Sequence, residues 1–232
     1  MGQMIKIKGK KINYYPVELK NDGSEPRLDV LVAVENLNIL KQVMDNAGIR
    51  VMLMYGTLLG AVRENGFIKH DSDTDVVIYP DDEKKLISMI PELEKLGLLL
   101  VRYVKICPLG LGEITYSFMR KGMWIDVYIL QYALTGCVIA GLKYPYKYFR
   151  DPIKLNFYGN DFYAPSNVED FLSLAYGKYW RVPVQNSHTT PVKYIFQWRM
   201  YFFIRRMIAS VLQKVLPVKH FAYIRSKFRK QG

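Results

Sequence analysis

The feature that most restricts this chain is a set of alternating acids leading straight into an apolar run. Asp71, Asp73 and Asp75 are separated by Ser72 and Thr74 and followed by Val76, Val77 and Ile78. In an extended chain, residues two apart share a face, so the three carboxylates crowd together. Like charges so placed repel unless a cation or a cationic ligand neutralises them. Carboxylate oxygens suit a hard ion, Mg²⁺ or Mn²⁺, better than zinc. A calcium loop of the EF-hand kind needs glycine at its sixth position and glutamate at its twelfth. Counted from Asp71, those positions hold Val76 and Asp82. A merely solvated acidic loop is the bland alternative, and the mouth of a buried strand is a poor place for one.

A fourth acid, Asp126, stands inside the apolar run Trp124, Ile125, Val127, Tyr128, Ile129 and Leu130. Such an acid is costly unless paired or coordinated. Arg63 or Arg102 could pair it. Its company with the aspartate strand favours completion of a metal site, because two acids on one strand and one on a neighbour can hold Mg²⁺ against a nucleotide's phosphates. Upstream, the run at 51–55 reads as a buried strand, followed by a glycine-flanked turn through Gly56, Thr57 and Gly60. Such a turn can present backbone N–H groups to a phosphate, with Thr57 and Arg63 as added donors. Taken alone, a Gly-Thr pair is usually just a turn.

The remaining pattern predicts an irregular lead-in over 1–28 with a turn at 21–23. Helices are predicted over 28–47, 81–96 and 168–176, each stopping at a glycine. Strands are predicted at 75–79, 98–106, 113–120 and 123–131, with a hairpin over 155–163. This order suggests an α+β domain built on a small mixed β-sheet flanked by helices.

Charge divides the chain in two. Through Asp170, 21 Lys and Arg balance 21 Asp and Glu, whereas the last 62 residues carry 12 basic residues and no acid. The net charge of +12 therefore belongs to the C-terminal part. A general nucleic-acid binder would spread it over the folded body too. No nucleic-acid partner is expected. In the tail, Arg199, Arg206, Ser210, Gln213 and Lys214 share one helical face, and aromatic and aliphatic residues fill the rest. Such a basic amphipathic helix lies on an anionic membrane or docks on its own domain. The run at 194–216 is broken by Arg199, Arg205, Arg206 and Lys214, so it does not read as a span. Cys107 and Cys137 have no metal-type spacing, and the lysine-rich start lacks the apolar stretch of a signal peptide. A cytoplasmic location, peripheral on the inner membrane face, is expected.

The block Tyr55-Gly56-Thr57-Leu58-Leu59-Gly60-Ala61-Val62-Arg63, then Gly66-Phe67-Ile68, the alternating aspartates and Ile125-Asp126-Val127 resemble the LicD/fukutin family of the nucleotidyltransferase superfamily. The resemblance runs from about 51 to 183 and includes Tyr163-Ala164-Pro165 and Tyr176 to Pro183. Two positions depart from it: His70 stands where many members have Trp, and Ser72 where an aspartate is common.

The resemblance implies a nucleotidyltransferase-like catalytic domain over 1–190 and a basic helical tail over 191–232. It implies Mg-dependent transfer of a phospho-alcohol group, such as phosphocholine, from a CDP-activated donor to a sugar hydroxyl of a glycan, with release of CMP. Gly56, Thr57 and Arg63 would hold donor phosphates, and Asp73 and Asp75 the metal. Asp126 would be a further ligand or the base, and Asp71 could be that base instead. A lipid-linked acceptor would give the tail its purpose. Two other readings compete. One is transfer of a nucleoside monophosphate from a nucleoside triphosphate by the same acids. The other is a non-catalytic basic scaffold for membrane or RNA.

Overall fold

The computed structural model describes residues 2–17, 27–107, 112–183 and Met207. The basic tail and most of its expected helix, with the turn at 21–23, lie outside the described residues.

Two elements begin the chain where no regular structure is expected. Strands β1 (Gln3–Ile7) and β2 (Lys10–Tyr14) form a hairpin over the supposed lead-in. Lys8 and Gly9 turn it, both at positive φ (44° and 88°), as a two-residue hairpin turn requires. Its alternation is hidden by lysines, which reach out to other elements: Lys8 pairs with Glu83 and Lys10 reaches Ser88 at 2.7 Å. Helix α1 (Val30–Asn46) buries Leu37, Leu40, Val43 and Met44, the predicted stripe. Asp29 caps it by accepting from the Val32 N–H at 3.2 Å.

Strand β3 is only Met52–Leu53, and helix α2 (Tyr55–Arg63) replaces the expected glycine turn. Strand β4 (Asp73–Ile78) follows, then a 3₁₀ turn (Pro80–Asp82) and helix α3 (Glu83–Lys95). Strands β5 (Leu99–Ile106), β6 (Glu113–Arg120) and β7 (Met123–Ile129) run antiparallel in succession. The predicted strand at 123–131 ends early. A separate three-stranded sheet follows, β8 (Gln131–Ala133), β9 (Gly136–Ile139) and β10 (Leu142–Tyr144), which no pattern announced. Helix α4 (Lys147–Arg150), the hairpin β11 (Ile153–Phe157) and β12 (Asn160–Ala164), and helix α5 (Val168–Tyr176) complete the described body.

The architecture is α+β with a mixed sheet, as expected, but the sheet is not small. It has seven strands in the order β11-β12-β3-β4-β7-β6-β5. The pairs β12–β3 and β4–β7 are parallel and the others antiparallel. Helices α1 and α3 pack on each other and on this sheet. The Tyr116 hydroxyl donates to Glu83 of α3 at 2.9 Å, so the Tyr116 face of β6 is the α3 face. Its neighbour Ser117 looks to the opposite side.

Candidate active site

Strand β3 and helix α2 meet without a loop. Tyr55 opens the helix at φ 44°, a left-handed value that costs a residue with a Cβ roughly 1–2 kcal/mol. Its ring holds the turn. The hydroxyl donates to the Ile139 carbonyl at 3.1 Å, and the ring meets Tyr128 edge-on at 5.2 Å between centroids. Two glycines let α2 lie against the loop at 64–72. A Cβ on Gly56 would fall 2.3 Å from Asp71 Oδ2, and one on Gly60 would fall 2.5 Å from the Gly66 carbonyl oxygen. Glycine here admits a neighbour where any side chain would collide.

The acids come together through sheet register. Asp75 on β4 lies directly beside Asp126 on β7, and in a parallel pair such partners share a face. Ligand oxygens of Asp73, Asp75 and Asp126 all lie within 4.8 Å of one another. Asp75 is 7% and Asp126 5% exposed. Asp71 precedes the strand and stays outside this set of three. It is still near enough for its charge to act on Asp75. Burial first, then the charges of Asp73, Asp126 and Asp71, push the Asp75 carboxyl well above the ordinary carboxylate range, against a hydrogen bond from Tyr128.

Tyr128, which the sequence reading did not single out, spans the pair. Its hydroxyl donates toward Asp75 Oδ1 at 3.2 Å and Asp126 Oδ2 at 3.3 Å. Burial raises this hydroxyl further, so it stays protonated. The signal for it was present: Tyr128 is two residues from Asp126 and must share its face. Tyr176 also borders the cluster. Burial and then the Asp75 charge push its hydroxyl far up.

Of the two readings of Asp126, the ion pair is formed, and the geometry leaves room for the metal-ligand role as well. Oδ2 accepts from Arg102 Nη2 at 2.7 Å. Oδ1 is buried and has no hydrogen-bond partner among the described residues. A buried anionic oxygen in that position costs free energy unless something positive meets it. Three crowded carboxylates with one such oxygen fit a divalent cation of the hard class.

The expected phosphate contacts are placed differently from one another. Gly56 is in the first turn of α2 beside Asp71. Thr57 is completely buried, and its Oγ1 accepts the Asp75 N–H at 2.8 Å. It braces the strand that carries the acids. Arg63 ends α2 with its side chain 11% exposed. Its Nε and Nη2 donate to Glu64 Oε1 at 3.1 and 2.5 Å, and Nη1 to the Trp180 carbonyl at 3.3 Å. Arg63 thus ties α2 to the closing segment. His70 is exposed.

Residues 48–104 match the model of the family described as LicD/FKTN/FKRP, nucleotidyltransferase domain. The chain is 30% identical over 135 residues to an uncharacterized protein of Rickettsia prowazekii (strain Madrid E). That match covers 54% of this chain and 47% of the relative, so the chain spans about half of that protein's length. Among solved structures, the fold is similar to the crystal structure of ANT(2″)-Ia in complex with adenylyl-2″-tobramycin. The TM-score is 0.44 and the identity 15%, over 86% of this chain and 98% of that one. A solution structure of the antibiotic-resistance factor ANT(2″)-Ia gives 0.44 and 14%, over 87% and 94%.

Proposed function

We infer that this chain, which belongs to the LicD/FKTN/FKRP family through residues 48–104, moves a phospho-alcohol group, phosphocholine or a close analogue, from a CDP-activated donor to a sugar hydroxyl. The acceptor is a glycan precursor of the cell surface, and CMP is the other product. The observation that carries the reading is the triad of Asp73, Asp75 and Asp126, with ligand oxygens within 4.8 Å and a buried, unbonded oxygen on Asp126.

Asp73, Asp75 and Asp126 would hold Mg²⁺, which supplies neutralising charge for the donor's pyrophosphate when bound. The protein's own part is positioning and electrostatics. Tyr128 fixes the carboxylates of Asp75 and Asp126 relative to each other. Thr57 fixes the Asp75 backbone. The acceptor oxygen attacks the phosphorus that bears the alcohol, the bond from that phosphorus to the bridging oxygen breaks, and CMP leaves with the electron pair. The proton of the attacking hydroxyl passes to a carboxylate of the same patch, Asp71 or Asp126.

No helix among the described residues is long and apolar enough to cross a membrane. We assign contact with an anionic membrane surface to the basic tail at 191–232, where a lipid-linked acceptor would be met on the cytoplasmic side. Cosedimentation with anionic liposomes, lost when the tail is removed, tests that part.

The site itself is tested by thermal unfolding with CMP, CDP-choline, CDP-ethanolamine, CDP-glycerol, CTP and ATP, each with and without Mg²⁺. A ligand at about 100 times its Kd adds roughly 2.7 kcal/mol, a shift of about 5–11 °C in a domain of this size. Mg²⁺-dependent stabilisation by one CDP-alcohol above that by CMP is the expected result. Stabilisation by a nucleoside triphosphate alone, with release of pyrophosphate, would replace this reading by nucleotidyl transfer.

A further inference from the structure

Four adjacent strands contribute one residue each to a single lateral row. Asp75 on β4 pairs with Asp126 on β7, Asp126 with Ser117 on β6, and Ser117 with Arg102 on β5. The row lies on the face turned away from α3, because Ser117 neighbours Tyr116, which bonds to α3. It begins at the acids and ends at a guanidinium.

Arg102 reaches this row through an irregularity. Leu100 pairs with Phe118, but Arg102 pairs with Ser117, so β5 uses two residues where β6 uses one. In a regular strand, Leu100 and Arg102 would point the same way. Phe118 and Ser117 point opposite ways. The extra residue, Val101, therefore turns Arg102 onto the acidic face. A β-bulge re-aims a side chain in this manner, and bulges concentrate beside active sites.

The guanidinium is then fixed at two of its three nitrogens. Nε donates to Ser117 Oγ at 2.9 Å and Nη2 to Asp126 Oδ2 at 2.7 Å. Nη1 takes part in neither bond, and the Arg102 side chain is 38% exposed while the Asp126 side chain is 7% exposed. A buried carboxylate thus anchors an arginine that is itself more than one third exposed and has donors left over from these two bonds. Arg63, the arginine that the sequence favoured for phosphate, is committed to Glu64 and the Trp180 carbonyl and is 11% exposed.

We propose that Arg102 is the specificity-determining residue for the anionic part of the donor, and that its Nη1 donates to a phosphate oxygen held beside the acidic triad. This deepens the transferase reading and rests on it. The fork geometry of arginine is needed, because one planar group must meet a serine, a carboxylate and a phosphate at once. An ion pair made only to neutralise Asp126 would need the charge but not the third contact.

The test uses the full chain with CDP and cytidine as probes, titrated calorimetrically in Mg²⁺, together with Mn²⁺ titrated alone. A charge-assisted hydrogen bond at this position predicts that Arg102→Ala weakens CDP binding at least about tenfold. Arg102→Lys keeps the charge beside Asp126, so it serves where the alanine variant fails to fold. It is expected to lose most of the CDP affinity too, while Mn²⁺ affinity and cytidine binding stay within a few-fold of wild type. Equal CDP binding by wild type and the lysine variant would overturn the proposal and leave the transferase reading intact. So would a loss confined to Mn²⁺ affinity, which marks a residue that only positions Asp126. A wild-type chain that binds no CDP in Mg²⁺ would overturn both.

Discussion

Strand β4 follows opposite rules at its two ends. From Val76 onward it packs like any interior strand: Val76 beside Val127, Val77 beside Tyr128 and Ile78 beside Ile129, all three β4 residues buried. Tyr79 closes that end with its hydroxyl on the Phe149 carbonyl at 2.7 Å and the Arg50 guanidinium 4.4 Å from its ring centroid. At the other end the same two strands bring acids together. Shifting β4 by one residue against β7 would turn its side chains to the wrong face. The apolar half therefore sets the register, and the register holds Asp75 against Asp126. Stability and the proposed chemistry share one pair of strands, and the acids that would carry that chemistry sit where ordinary packing logic is broken.

The contrast predicts that substitutions at the two ends fail in different ways. Under the proposed reading, Asp75→Asn should lower the rate of CMP release by about a thousandfold, since a metal ligand would support several kcal/mol of charge stabilisation at roughly 1.4 kcal/mol per tenfold. In EDTA the same variant should melt no lower than wild type, because one of three crowded carboxylates is gone. An active variant, or one that melts clearly lower in EDTA, would break the contrast from the acidic side. Ile78→Ala should do the reverse. Urea titration should show a loss of about 2–5 kcal/mol, with kcat near wild type at temperatures where the variant is folded. Tyr128 stands between the two halves, and Tyr128→Phe should weaken Mn²⁺ binding and activity roughly 10–100-fold with little change in melting. A calorimetric Mn²⁺ isotherm identical to wild type would remove the tyrosine from the site.

Much of this was legible in the sequence because it depends on local periodicity. The acids at 71, 73 and 75, the apolar run after them and the lone Asp126 announce a charged patch on a buried sheet. Helices α1, α3 and α5 follow from their stripes and terminal glycines. What was not legible depends on register and bulges. No periodicity says that Ser117 faces Asp126, or that Val101 is extra, so Arg102 could be named only as one of two arginines able to pair with Asp126. Thr57 and Arg63 sit in the expected block, but their partners, the Asp75 N–H and the Trp180 carbonyl, are 18 and 117 residues away. The β1–β2 hairpin was hidden because its alternating positions hold lysines whose ends bond to helix α3. Tyr55 read as strand because an aromatic after four apolar residues favours one, whereas the chain turns sharply into α2 at that residue.

An acid on the ordinary side of the molecule sharpens the comparison with the smallest expected effect. Glu35 on α1 accepts from Arg120 Nη2 at 2.9 Å and Lys121 Nζ at 2.8 Å, pinning the helix to the turn between β6 and β7. Those two hydrogen bonds, Arg120's the larger, bring its carboxyl from 4.5 down to about 2. The sign is opposite to that of Asp75. A carboxyl lowered in the folded state stabilises above the unfolded value and loses that contribution as pH falls through the folded one. Glu35→Gln should therefore leave activity unchanged and lower the melting temperature at pH 7 only slightly, since the contact is partly solvent-exposed and screened, and that small deficit should close as pH falls. The fall in melting temperature between about pH 4.5 and 2 should be shallower in the variant than in wild type. Parallel profiles would mean that Asn36, which accepts from Arg120 Nη1 at 3.1 Å and donates to its carbonyl at 2.9 Å, holds this junction without the charge.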